Sequence, residues 1–283
     1  MLNKLVTVIF LASCVITGFA QNSQPRPYLY VDEFTSSGGF RTSDIEAIRA
    51  SVVSALSASG RFDMLNTSSQ EVVMGSDNNY ILKGDLLSFT MDRKSVNGET
   101  AYTYGLKYSI TLVDAGNQTD IYSHTYAYGD ASESFLGGLG IISYTSEQEA
   151  LKALHNKVKK DIRRMIIEQL PLEGEIIGED IVVKGNKLEY CYITIGSGLG
   201  VKVGDVFSVL SPQIRAGRTV YTPIGKLKVK ETFDDDPSLS YCSVIDNAKE
   251  VYEALEEYFD AISRNENAKP LKVRATVAFK DKI

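Results

Sequence analysis

The chain contains no tryptophan, two histidines and three cysteines among its 283 residues. Those shortages remove several kinds of chemistry. His124 and His155 have no cysteine or second histidine at ligand spacing, which excludes the usual zinc arrangements. G-x-S-x-G, H-E-x-x-H and G-x-x-x-x-G-K-[ST] are all missing, and Gly225-Lys226 is followed by Leu227. Beyond the first twenty residues no apolar run approaches the roughly 20 residues that a spanning helix needs. Basic residues are also in deficit, for a net charge of −6 at pH 7. An acidic chain of this kind is a poor partner for nucleic acid. No catalytic residue, cofactor or metal ligand is therefore expected.

What is present begins with a leader. Met1 to Lys4 is a short basic start, Leu5 to Ala20 is apolar, and Gly18-Phe19-Ala20 carries small residues at −3 and −1. Gln21-Asn22-Ser23-Gln24 is abruptly polar. These are the parts of a secretory signal peptide cleaved after Ala20. Leu11-Ala12-Ser13-Cys14 also matches a lipobox, in which Cys14 would carry lipid, although the apolar run continues past it from Val15 to Ala20. Either route exports the chain to a periplasmic or outer-membrane-associated location. Export leaves Cys191 and Cys242 in a compartment that permits oxidation. They would form a disulfide closing a loop of about 50 residues, or stay as buried thiols on non-adjacent strands.

The pattern along the chain is α+β. "YLYVDEF" (Tyr28 to Phe34) reads as a strand. Ser43-x-x-Glu46 is a capping box opening a helix with Ile45, Ile48, Val52 and Leu56 on one face, and Gly60 stops it. "RFDML" begins a second strand. From Tyr80 to Tyr128 the residues alternate over long stretches, with Tyr102, Tyr104, Leu106, Tyr108, Ile110 and Leu112 on one face. Asn97-Gly98 and Ala115-Gly116-Asn117 mark its turns. Ser146-x-x-Glu149 opens a second helix with Leu151, Leu154, Val158, Ile162, Met165 and Ile166 inward, ending before Pro171. Two helices on one face of a mostly antiparallel sheet is the economical packing. Five or six short β-like runs with glycine turns and one helix, about Ala248 to Ile262, follow Gly174 and predict a small barrel. The expected division is 1–20 signal peptide, 21–172 two-layer domain and 173–283 barrel domain.

Four candidate sites remain. "ITIGSGLGVKVGDVFSVL" (Ile193 to Leu210) is rich in glycine, but a strand pattern rather than a helix follows it, so it reads as a barrel hairpin and not a phosphate loop. "FDDDPS" (Phe233 to Ser238) lacks the spaced oxygens of a calcium loop and reads as a turn. Lys157, Lys159, Lys160, Arg163 and Arg164 are a solvated helix face, or a surface for an acidic partner or anionic lipid. "SFLGGLGIISY" (Ser134 to Tyr144) is apolar where a polar loop is expected. Phe135, Leu136, Leu139, Ile141, Ile142 and Tyr144 either fold back over the core or form a partner-contact surface.

"VDEF" (Val31 to Phe34), "GRFDML" (Gly60 to Leu65) and "YILKGDL" (Tyr80 to Leu86), with the amphipathic helix between, resemble the periplasmic domain of the CsgG-like family. That family includes the curli secretion channel and, more distantly, lipoprotein activators of penicillin-binding proteins. The stretch from Glu173 to Val209 looks like the small SH3-like barrel appended to some relatives. The resemblance implies a non-catalytic envelope scaffold that binds other envelope proteins or itself as a homo-oligomer, with outer-membrane contact in some members. Two other readings stand beside it: an outer-membrane secretion channel subunit, and a secreted hydrolase with an unrecognised site. The channel would need two membrane-spanning hairpins, and the segment "FTMDRKSVNGETAYTYG" instead carries Asp92, Arg93, Lys94 and Glu99 about its tip.

Overall fold

A computed structural model describes residues 26–38, 40–65, 78–96, 99–129 and 144–276. Among these residues the fold is α+β: an open mixed sheet carrying two helices, followed by a closed six-stranded barrel carrying a third. The sheet is built from β1 (Tyr28–Val31), β2 (Thr35–Ser36), β3 (Asp63–Leu65), β4 (Tyr80–Val96), β5 (Glu99–Asp114) and β6 (Asp120–Tyr128). Its order is β3-β1-β4-β5-β6, with β2 also on β4. The meander β4-β5-β6 is antiparallel, as the alternation predicts. The short first strands pair in parallel, β1 lying between β3 and β4.

α1 (Thr42–Ser59) and α2 (Glu147–Gln169) cover one face of this sheet. Ile48, Val52 and Leu56 of α1 meet Leu154, Val158, Ile162 and Met165 of α2 over Leu106, Tyr108, Ile110 and Leu112 of β5. Each such fully buried side chain is worth about 1.5–3 kcal/mol relative to exposure. The opposite face holds a smaller cluster of Tyr30, Ile81, Val113 and Ala115. Strand periodicity accounts for the split, since neighbours along β1 and β4 point to opposite faces.

The two helix starts differ from each other. At α2 the Ser146 hydroxyl accepts from the Glu149 amide at 3.2 Å, as the capping box predicts. The Glu149 carboxylate reaches back one residue further than expected, to the Thr145 amide at 3.1 Å and its hydroxyl at 2.7 Å. The box expected at Ser43 does not form. α1 begins at Thr42 with Arg41 as its N-cap, and no side chain caps it; Arg41 instead pairs with Asp44 at 3.0 Å. Gly60 ends α1 in the left-handed region, φ 69°, as predicted.

The barrel contains β7 (Glu173–Val183), β8 (Leu188–Ile193), β9 (Val206–Arg215), β10 (Arg218–Thr232), β11 (Ser240–Asp246) and β12 (Lys272–Thr276), with α3 (Ala248–Ser263) before the last strand. Its closed order is β10-β11-β8-β7-β12-β9. The glycine-rich stretch is therefore not a hairpin. β8 pairs with β7 and β11, β9 pairs with β10 and β12, and the segment between them crosses the barrel end through a 3-10 turn, Ser197–Leu199. Gly200 leaves that turn at φ +79°, and a Cβ there would lie 2.3 Å from the Ser59 carbonyl oxygen. Glycine is needed because the barrel meets the end of α1 backbone to backbone at this point.

Candidate functional site

Of the six residues expected at the contact surface, Phe135, Leu136, Leu139, Ile141 and Ile142 lie outside the described residues. Tyr144 lies within them and is half-buried. Its backbone exchanges two 2.8 Å hydrogen bonds with Tyr102 of β5, and its ring stacks on Tyr104 at 5.8 Å and 20°. The other end of the intervening segment is Gly129. At φ +62° it packs so close to β5 that a Cβ would overlap the Tyr104 carbonyl oxygen. β6 stops pairing with β5 at Leu106↔Tyr128, and Tyr144 takes up the vacated edge at Tyr102. Gly129 and Tyr144 thus lie at one place, the Tyr102 to Gly105 edge of β5.

Around that edge the sheet carries a tyrosine cluster that periodicity alone did not single out. Tyr108 is fully buried and stacks on Tyr126 at 5.1 Å, while the Tyr122 and Tyr126 hydroxyls lie 3.1 Å apart. Burial raises the Tyr104, Tyr108 and Tyr126 hydroxyls above the ordinary phenol range, with smaller contributions from Asp161. Asp161 comes from the buried side of α2 and is 8% exposed. Burial pushes its carboxyl up to about 7, against the opposing pull of Arg164. Its Oδ2 and the Tyr108 hydroxyl have no hydrogen-bond partner among the described residues. An acid at an inward helical position is legible in the sequence only as a break in the apolar stripe.

The basic run divides. Lys157 lies over the Tyr128 ring at 5.0 Å, whereas Lys159, Lys160, Arg163 and Arg164 line a groove between α2, the end of α1 and the barrel. His124 sits in β6 between the rings of Tyr122 and Tyr126. His155 is held below its ordinary pKa by burial first and Lys159 second. In "FDDDPS" the Asp236 carboxylate accepts from the Ser238 amide and hydroxyl at 3.1 and 2.6 Å, the bonding of a local turn. Among the described residues no three His, Cys, Asp or Glu side chains converge as metal ligands.

Cys191 and Cys242 are free, fully buried thiols. They are not on non-adjacent strands: β8 and β11 are neighbours, and the two cysteines face each other in register. Burial raises both thiols, Cys191 to about 12.

No family model matches the chain, and neither does any curated protein. Solved structures of similar fold do exist. They include a PelC dodecamer from Paraburkholderia phytofirmans, with 14% identity over 50% of this chain and 89% of that one, at a TM-score of 0.34. A lipoprotein from Neisseria meningitidis is similar at 12% identity over 48% of this chain and 97% of its own, with a TM-score of 0.30. The LpoB C-terminal domain from Salmonella enterica is similar at 14% identity over 37% of this chain and 83% of its own, with a TM-score of 0.24. These are partial likenesses of fold, at identities and scores too low to indicate a shared activity.

Proposed function

We propose that this chain is a non-catalytic protein of the cell envelope, exported by cleavage after Ala20, that binds other envelope proteins or further copies of itself. In this reading residues 21–172 form a CsgG-like recognition domain and residues 173–283 an accessory barrel. The observation that carries the proposal is the convergence of Gly129 and Tyr144 on one edge of β5. The sequence between those two residues is rich in large apolar side chains. Ordering such a segment costs about 1–2 kcal/mol of backbone entropy per residue, which apolar burial against a partner would offset.

A pore is less well supported. β4 and β5 do run beyond the end of β6, but Asp92 and Arg93 on that extension are exposed and break the apolar band that a lipid-facing strand requires.

The test is the triple substitution Phe135→Ser, Leu139→Ser and Ile142→Ser. Light scattering and chemical cross-linking should show weakened self-assembly or loss of co-purifying envelope partners, with the thermal midpoint nearly unchanged. A variant that keeps its assemblies and loses several kcal/mol of stability would assign these residues to core packing instead.

A further inference from the structure

We propose that the groove between the two halves of the molecule is a binding site for a multiply charged phosphate-class anion, either free or carried on a lipid headgroup. The groove has a volume of about 640 Å³. Lysines and arginines reach it from three separate elements: Lys159, Lys160, Arg163 and Arg164 from α2, Arg61 from just beyond α1, and Lys202 from the β8–β9 crossover. Among the described residues Asp205 is the single acid on its wall. In a chain with net charge −6 this is a strong local reversal of sign.

Arg61 is the second, independent observation. It is 8% exposed, and its Nη2 is shielded from solvent without a hydrogen-bond partner among the described residues. A buried guanidinium nitrogen left unpaired is costly, because its hydration is lost and nothing replaces it. Burial pulls this guanidinium down to about 10, and Asp205 offsets only part of that. A fork of donors in a cation-lined groove suits a phosphate oxygen, which arginine engages with two parallel hydrogen bonds. A doubly charged phosphate group draws more from a cation-lined wall than a singly charged carboxylate does. The far wall is apolar, with Ile166, Leu172 and Phe207, so the phosphate-bearing molecule would also be given an apolar surface to cover.

The test uses the full exported chain and two variants. Arg61→Met removes the buried donor while keeping the apolar stem. Lys159→Gln with Arg163→Gln removes charge at exposed and half-buried positions and is safe for folding. Binding is measured calorimetrically with inorganic phosphate and with pyrophosphate, and by flotation with vesicles of phosphatidic acid, a phosphomonoester lipid, in phosphatidylcholine. Wild type should bind pyrophosphate more tightly than phosphate. Each variant should lose about tenfold or more in affinity, as expected for charge-assisted bonds. Without ligand, Arg61→Met should be at least as stable as wild type, which separates a ligand-binding role from a structural one.

Binding to the soluble anions alone assigns a free ligand, and variant-sensitive flotation assigns a headgroup. The proposal is overturned if wild type binds none of the three probes, or if both variants bind as wild type does. It is also overturned if polyglutamate occupies the groove in preference to pyrophosphate, which would make the ligand an acidic protein.

Discussion

Replacing Asp161 by asparagine should make the protein more stable at pH 8 than at pH 5, relative to wild type. Asp161 is enclosed by α2 and the tyrosines of β5 and β6, and burial lifts its carboxyl from 3.8 to about 7. The folded state therefore holds this proton far more tightly than the unfolded chain does. A raised carboxyl contributes stability that is complete below pH 3.8 and is lost as pH climbs through about 7. Each unit of difference is worth about 1.4 kcal/mol, so the interval from pH 5 to pH 7 removes at most about 2.7 kcal/mol. The carboxyl is not wholly enclosed, and solvent screening at its exposed part trims this to about 1–2 kcal/mol. Asparagine keeps the shape and does not titrate. Urea unfolding of both proteins at pH 5, 6, 7 and 8 measures the gap between them, and the other titrating groups cancel in that difference. The gap should widen in favour of asparagine by about 1–2 kcal/mol across the series. A flat gap, or one that narrows as pH rises, would refute the placement of an ionisable carboxyl among these rings.

Other outcomes follow from single contacts. Ser146→Ala removes the hydroxyl that caps α2 and should cost about 1 kcal/mol in denaturant unfolding; a change within error would mean the cap is redundant. Gly200→Ala forces a Cβ towards the Ser59 carbonyl at a positive φ, and should cost about 1–3 kcal/mol while loosening the junction of α1 with the barrel. A neutral effect on thermal unfolding would show that the two halves do not meet there. Cys191 and Cys242 should resist alkylation in the folded protein and react as two thiols per chain once denatured without reductant. Recovery of fewer than two would mean that these cross-strand neighbours have been oxidised together.

Much of the fold was legible because it is written locally. The stripe from Ile48 to Leu56, the stop at Gly60, the alternation along β5 and all six barrel strands follow from spacings of three to four or of two. What sequence spacing could not supply is pairing between distant segments. The parallel insertion of β1 between β3 and β4, and the separation of β8 from β9 in the barrel, are decided by which edges remain free when the chain arrives. The Ser43 box does not form because α1 starts two residues earlier than it requires: Arg41 is the N-cap, so Ser43 sits inside the first turn, across which Arg41 pairs with Asp44. The basic residues of α2 read as a helix face. Nothing in their own spacing shows that Arg61 and Lys202 are brought opposite them.

The two cations that reach the groove from outside α2 have different roles, and the difference follows from where each nitrogen ends. Lys202 donates its ammonium to the Ala58 carbonyl in the last turn of α1. That turn has carbonyls without intrahelical partners and the negative end of the helix dipole, so a lysine there is satisfied twice, by a hydrogen bond and by the field. It ties the barrel to the helix, while Arg26, just ahead of β1, donates to the Gly198 carbonyl on the same crossover. Arg61 lies just past the end of that helix and is buried to a similar depth as the core, yet its Nη2 reaches no carbonyl among the described residues. Had the junction needed only structural ties, a shorter or apolar side chain at position 61 would have filled the space at lower cost. Retaining a guanidinium whose Nη2 finds no acceptor among the described residues is accounted for if that acceptor comes from outside the chain.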